Sequence, residues 1–86
     1  MQPEISVYGI DMCIATLRVR EHLNRRGIGY RYVNLDKDDF ADRKVREWNL
    51  GKRVTPTVVI SGNGRTHRFA EPANEILDAA ISEQAA

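Results

Sequence analysis

An α/β fold with the element order β-α-β-α-β-β-α, a four-stranded mixed sheet covered by helices on both faces, follows from three features of the sequence. A short alternating run at Ile5-Ser6-Val7-Tyr8 is succeeded by a long stretch free of Gly and Pro, Cys13 to Arg26, and then by a second alternating run at Tyr30 to Leu35. Strand, helix, strand in that order implies a right-handed crossover and a parallel pair. Near the other end, the β-prone run Thr57-Val58-Val59-Ile60-Ser61 meets Gly62-Asn63-Gly64, whose residues tolerate positive φ, and Arg65 to Ala70 returns antiparallel.

Each element has its own signal. Gly9-Ile10-Asp11-Met12 reads as the loop after the first strand, and Ala15, Val19 and Leu23 recur at i, i+4 and i+8 before the stop signal Gly27, which predicts a helix over 14–26. In the second strand, Tyr30, Tyr32 and Asn34 share one face while Arg31, Val33 and Leu35 share the other. The acidic run Asp36 to Asp39 suits a helix start, and Ala41, Val45 and Trp48 lie on one stripe before Gly51, predicting a helix over about 38–49. Glu71-Pro72 is expected to open the last helix, with Ile76, Leu77, Ala80 and Ile81 as its apolar stripe and Glu83 to Ala86 as a fraying tail. Val19, Leu23, Val45 and Trp48 are expected in the core.

Eighty-six residues with 42% apolar and 29% charged content suit one domain, 1–86. Thirteen Lys and Arg against twelve Asp and Glu leave a charge of +1, too little to gather nucleic acid or an anionic membrane, and neither is expected as a partner. Arg18, Arg20, Arg25 and Arg26 are therefore read as a solvated helix face rather than a nucleic-acid patch. Without a membrane-length apolar run or a signal-like start, we expect a cytoplasmic chain. His22 and His67 have no ligand-type spacing, and no metal site is expected.

The single cysteine excludes an internal disulfide, so any redox chemistry of Cys13 must involve another molecule. Cys13 falls where a loop becomes a helix, near unpaired backbone N–H groups and the positive end of the helix dipole, which favour thiolate. An ordinary cysteine of pKa about 8.5 is only roughly 3% ionised at pH 7, so position alone has much to add. The competing reading is an inert buried thiol. Asp11, two residues earlier, is read as a loop or cap residue whose charge opposes thiolate.

The run Val7-Tyr8-Gly9-Ile10-Asp11-Met12-Cys13-Ile14-Ala15-Thr16, with Gly27-Ile28-Gly29-Tyr30 beyond it, resembles the active-site region of glutaredoxins. Trp48-Asn49-Leu50-Gly51-Lys52-Arg53-Val54-Thr55-Pro56-Thr57 is similar to the family segment that leads through a basic residue to a cis-proline. The resemblance spans residues 5 to 82 and rests on the spacing of Cys13 and Pro56. It implies a glutaredoxin-like, thioredoxin-like fold, a redox-active Cys13, a cis Pro56, and a Thr55 whose backbone pairs with the substrate. Arg53 is assigned to substrate binding, drawing a substrate carboxylate by charge-assisted bonding; the alternative is a solvated loop arginine.

Departures from the family sharpen the expectation. Thr16 stands where dithiol glutaredoxins have their second cysteine, so a mixed disulfide on Cys13 must be resolved by an external thiol. Thr16 is assigned with Cys13 to the catalytic site, its hydroxyl bonding either the sulfur or a helix carbonyl. Glu71-Pro72-Ala73-Asn74-Glu75 replaces the Gly-Gly-x-Asp-like element of glutathione-using relatives and looks more like mycoredoxins, while Cys-x-x-Thr is similar to UXX-star proteins. The resemblance thus implies a monothiol thiol–disulfide oxidoreductase that acts as a monomer on small thiols and disulfide-containing proteins. It implies no tightly bound cofactor, with glutathione or mycothiol as co-substrate. The other reading is a redox adaptor or iron–sulfur cluster carrier without turnover, although the Cys-Gly-Phe-Ser motif of cluster-binding relatives is missing.

Overall fold

The computed structural model describes residues 2–85. Its elements are β1 (Glu4–Gly9), α1 (Ile14–Arg25), β2 (Arg31–Asn34), α2 (Asp39–Trp48), β3 (Thr57–Gly62), β4 (Arg65–Ala70) and α3 (Asn74–Ala85). The sheet order is β2-β1-β3-β4. β1 runs parallel to β2 and antiparallel to β3, and β3 pairs antiparallel with β4, so the sheet is mixed as the connections require. Gly9 pairs with Asn34, and Tyr8 pairs with Thr57. The end of β1 and the start of β3 therefore lie side by side, and this register brings the loop before α1 to the loop before β3.

Alternation along the strands divides the core between the two faces. On one, Ile5, Val7, Val58 and Ile60 pack with Val19 and Leu23 of α1 and Leu77 of α3, joined by the half-buried Tyr30 and Tyr32. On the other, Leu35, Ala41 and Val45 pack with Tyr8, Ile10, Val33 and Trp48, beneath α2. The two faces read from β2 are thus the two faces found. Trp48 is half-buried and meets the Tyr8 ring edge-on at 5.5 Å.

Several expectations change. α3 starts at Asn74 rather than at Glu71-Pro72, because Glu71 takes φ +46 and its N–H donates to the Pro56 carbonyl at 2.7 Å, which turns the chain before the helix begins. Ile76 is exposed, while Leu77, Ala80 and Ile81 carry the apolar stripe. The tail does not fray at Glu83: the helix continues to Ala85, Gln84 is buried, and Asn63 Nδ2 donates to the Gln84 carbonyl at 2.8 Å. Ala86, the last residue of the expected tail, lies outside the described residues.

The arginine face of α1 is not simply solvated. Arg18 Nη1 donates to Asn74 Oδ1 at 2.6 Å and Nη2 to the Pro72 carbonyl at 3.0 Å, tying α1 to the start of α3. The Arg20 guanidinium lies 3.8 Å from the Tyr32 ring centre, a cation–π contact. Further along, Asp78 of α3 receives His22 Nε2 at 2.7 Å and Arg26 Nη1 at 3.0 Å. Arg25 stays exposed.

Gly9 ends β1 where Thr16 of α1 passes over it. A Cβ there would lie 2.5 Å from Thr16 Cγ2 and 2.6 Å from Thr16 Oγ1, distances that no real Cβ tolerates. The close approach seats the first turn of α1 against the sheet, and overpacking it forces side chains or backbone to shift. Gly9→Ala is expected to lower stability by about 1–3 kcal/mol in urea unfolding. Adding Thr16→Ala should recover part of that loss; equal losses in the single and double variants would show that the clash is not the cause.

Candidate functional site

Cys13 is the N-cap of α1, with φ −89° and ψ 120°, extended values that precede the helix. Oxygen-bearing side chains usually take this position because the first turn leaves backbone N–H groups without partners. Here sulfur does so: Thr16 N–H donates to Cys13 Sγ at 3.4 Å. Asp11 is therefore not the cap. It accepts instead from Tyr32 Oη at 2.8 Å, and burial together with that carboxylate pushes the Tyr32 phenol up to about 12.

Across the chain, the loop before β3 closes on the same sulfur. Thr55 Oγ1 donates to Cys13 Sγ at 3.4 Å, and the Cys13 thiol donates to the Thr55 carbonyl at 3.6 Å. The Thr55–Pro56 peptide is cis, as the resemblance implied. Asn49 Nδ2 reaches Thr57 Oγ1 at 3.3 Å, and Thr57 Oγ1 donates to the Val54 carbonyl at 2.8 Å, so the buried Thr57 fixes both ends of this loop. Cys13 is half-buried, with Met12 (90% exposed) and Ile14 (85% exposed) on either side. Cys13 is thus not sealed in the interior, as a fully buried thiol would be.

Partial burial pushes the Cys13 pKa up, since it disfavours the anion. The polar groups around the sulfur, the Thr16 and Thr55 side chains and the N–H groups of Thr16 and Ala15, outweigh burial, and the net shift is downward. Thr16 Oγ1 is buried and makes no hydrogen bond of good geometry, so it takes neither role assigned from the sequence. The firm contribution of Thr16 is its N–H.

A glutaredoxin family model matches residues 5–65. The chain belongs to the glutaredoxin family. Its fold is shared with NrdH-redoxin of Escherichia coli, a glutaredoxin-like protein with a thioredoxin-like activity profile, at TM-score 0.72 and 20% identity over 88% of this chain and 92% of that one. The glutaredoxin of Archaeoglobus fulgidus superposes with TM-score 0.74 at 25% identity, over 92% of this chain and 86% of that one. Fasciola hepatica thioredoxin gives 0.71 at 12% identity, over 96% and 81%. No curated protein gives a significant match.

Cys13, Thr16, Thr55 and Pro56 come together in one place. Arg53 does not stand free in solvent: Nε donates to Asp42 Oδ1 at 2.8 Å and Nη2 to Asp36 Oδ1 at 2.8 Å. Hydrogen bonds to Arg53 and Arg46 hold the Asp42 carboxyl below its usual range. Sequence reading missed Gly9, Asp36 and Asp42. Only Gly9 carried a signal, since a glycine closing a strand pattern marks a close backbone approach. A cleft of about 520 Å³ between β2 and α2 is lined by Tyr8, Arg31, Lys37 and Lys44 among others and does not include Cys13. Among the described residues, no group of three or more His, Cys, Asp or Glu is placed to hold a metal ion, and no helix is long and apolar enough to cross a membrane.

Because the folded thiol ionises below its ordinary range, alkylation of Cys13 should rise with pH and level off earlier than for an unfolded cysteine. The same bonds stabilise the fold above the unfolded thiol pKa, an increment lost as pH falls through the folded value. Thr55→Val removes one donor to sulfur and is expected to slow iodoacetamide alkylation at neutral pH by about two- to fivefold. An unchanged pH–rate curve in that variant would show that the Thr55 hydroxyl does not act on the sulfur.

Proposed function

We propose that this member of the glutaredoxin family, a redox protein of the thiol–disulfide oxidoreductase kind, works by a monothiol mechanism: Cys13 takes up one half of a disulfide and an external small thiol releases it. The observation that carries this reading is the half-buried Cys13, its sulfur held between Thr16 N–H and the Thr55 hydroxyl in a chain with no second cysteine.

In the first step the Cys13 thiolate attacks one sulfur of a disulfide R–S–S–R′, forms Cys13–S–S–R and expels R′–S⁻. In the second step an external thiolate attacks the Cys13 mixed disulfide at the sulfur of R, forms its own disulfide with R and returns Cys13 as thiolate. Both steps are displacements, so the electrons come from the external thiol, and rate follows thiolate fraction and leaving-group pKa. The Thr55 hydroxyl and Thr16 N–H stabilise the departing Cys13 thiolate in the second step. When the thiolate forms, the unpartnered Thr16 hydroxyl gains an acceptor, which gives Thr16 its place beside Cys13. The Thr55 backbone, next to cis Pro56, pairs with the main chain of a peptide substrate, and Arg53 meets a substrate carboxylate. Met12 and Ile14 provide apolar contact for a protein disulfide.

Glutathione or mycothiol serves as the external thiol, with disulfide-containing proteins as the other partners, in cell redox homeostasis. A chain with one unbridged cysteine suits the reducing cytoplasm, and we place it there as a monomer. The reading is tested by exposing the reduced protein in turn to oxidised glutathione and to mycothiol disulfide, and weighing it by mass spectrometry before and after addition of the matching thiol. One adduct on Cys13, formed and then released, is expected with at least one of them, and none with Cys13→Ser. Absence of an adduct with both, or an adduct that the thiol does not release, would contradict the proposal.

A further inference from the structure

Two carboxylates share the Arg53 guanidinium, and they are not equivalent. Asp42, on α2, takes Nε with one oxygen and Arg46 Nε with the other at 3.1 Å, and its side chain is 22% exposed. Asp36 takes Nη2 from the turn after β2, and its side chain is 59% exposed. Asp36 N–H donates to Asn34 Oδ1 at 2.9 Å, which fixes the turn backbone. Its carboxylate can therefore leave Arg53 by side-chain rotation alone. An exposed pair of this kind is weak, whereas Asp42 is anchored at two points.

Arg53 is also well placed relative to the sulfur. Only Val54 separates it from Thr55, so its Cα lies within about 7 Å of the residue that touches Cys13. A guanidinium binds a carboxylate best through two parallel N–H groups, and Asp36 occupies the more exposed side of that fork.

We propose that Asp36 is a specificity residue: its carboxylate stands in for the anionic group of a small-thiol disulfide at Arg53, and such a substrate must displace it. Asp42 keeps the guanidinium in place while the exchange occurs. The inference rests on the reading of Cys13 and Arg53 given under Proposed function. Its consequence is that the wild-type protein discounts anionic disulfides relative to uncharged ones.

The test compares the second-order rates at which reduced protein forms a Cys13 adduct with glutathione disulfide, which carries carboxylates, and with uncharged 2-hydroxyethyl disulfide. Quenched-flow mass spectrometry follows wild type, Asp36→Asn, Arg53→Gln and the double variant. The uncharged probe reports the intrinsic competence of each variant, so only the ratio of the two rates is read. Asp36→Asn is expected to raise the ratio of anionic to uncharged rate by about three- to tenfold, and to leave it unchanged in the Arg53→Gln background. An unchanged ratio in Asp36→Asn, or an equal rise when Arg53 is already lost, would overturn this inference alone. A wild-type protein that forms no adduct with either probe would overturn the oxidoreductase reading as well.

Discussion

The contact between Cys13 and Thr55, forty-two positions apart in the chain, is the constraint on which the site depends. Two loops that carry no regular structure must arrive within hydrogen-bonding distance of one sulfur. The sheet makes this possible through register: with Gly9 opposite Asn34 and Tyr8 opposite Thr57, the chain leaves β1 and enters β3 at the same edge of the fold. A slip of one residue in the β1–β3 ladder would turn every side chain of β3 to the other face and carry Thr55 away from the thiol.

Packing beneath the loops holds that geometry. Gly9 lets Thr16 sit directly on the end of β1, which aims the first-turn N–H groups of α1 at Cys13. On the opposite side, Thr57 and Asn49 pin the start of β3 to the end of α2. The Thr55 carbonyl also faces the sulfur, and it opposes the anion. The donors around the sulfur prevail, and the outcome is a thiol poised below its ordinary ionisation range. The ionisation of Cys13 is set by the tertiary fold as much as by the helix end.

Much of this was legible in the sequence, for reasons that differ by element. Periodicity placed the seven elements within a few residues, because burying one face of each helix and strand leaves a regular trace. It also assigned Tyr32 and Val33 to opposite faces of the sheet. The spacing of Cys13 and Pro56, read through a family resemblance, gave the core of the site. What periodicity does not encode is the partner across the chain. Arg18 looked like a solvated arginine because nothing local announces Asn74 and Pro72, more than fifty positions away. Arg53 was assigned to a substrate carboxylate without its own partners in view, because Asp36 and Asp42 become its neighbours only when β2 and α2 fold beside the loop. Glu71 in a left-handed conformation delayed the last helix, and no propensity of Glu foretells that.

The most direct test of the account is a crystal structure of Cys13 trapped in a mixed disulfide with a cysteine-containing peptide. The account predicts that the peptide lies beside cis Pro56, its backbone hydrogen-bonded to the Thr55 main chain and its sulfur in line with Cys13. A peptide that swings into solvent, with no contact to the Thr55 backbone, would contradict the claim that these two loops form a single working site.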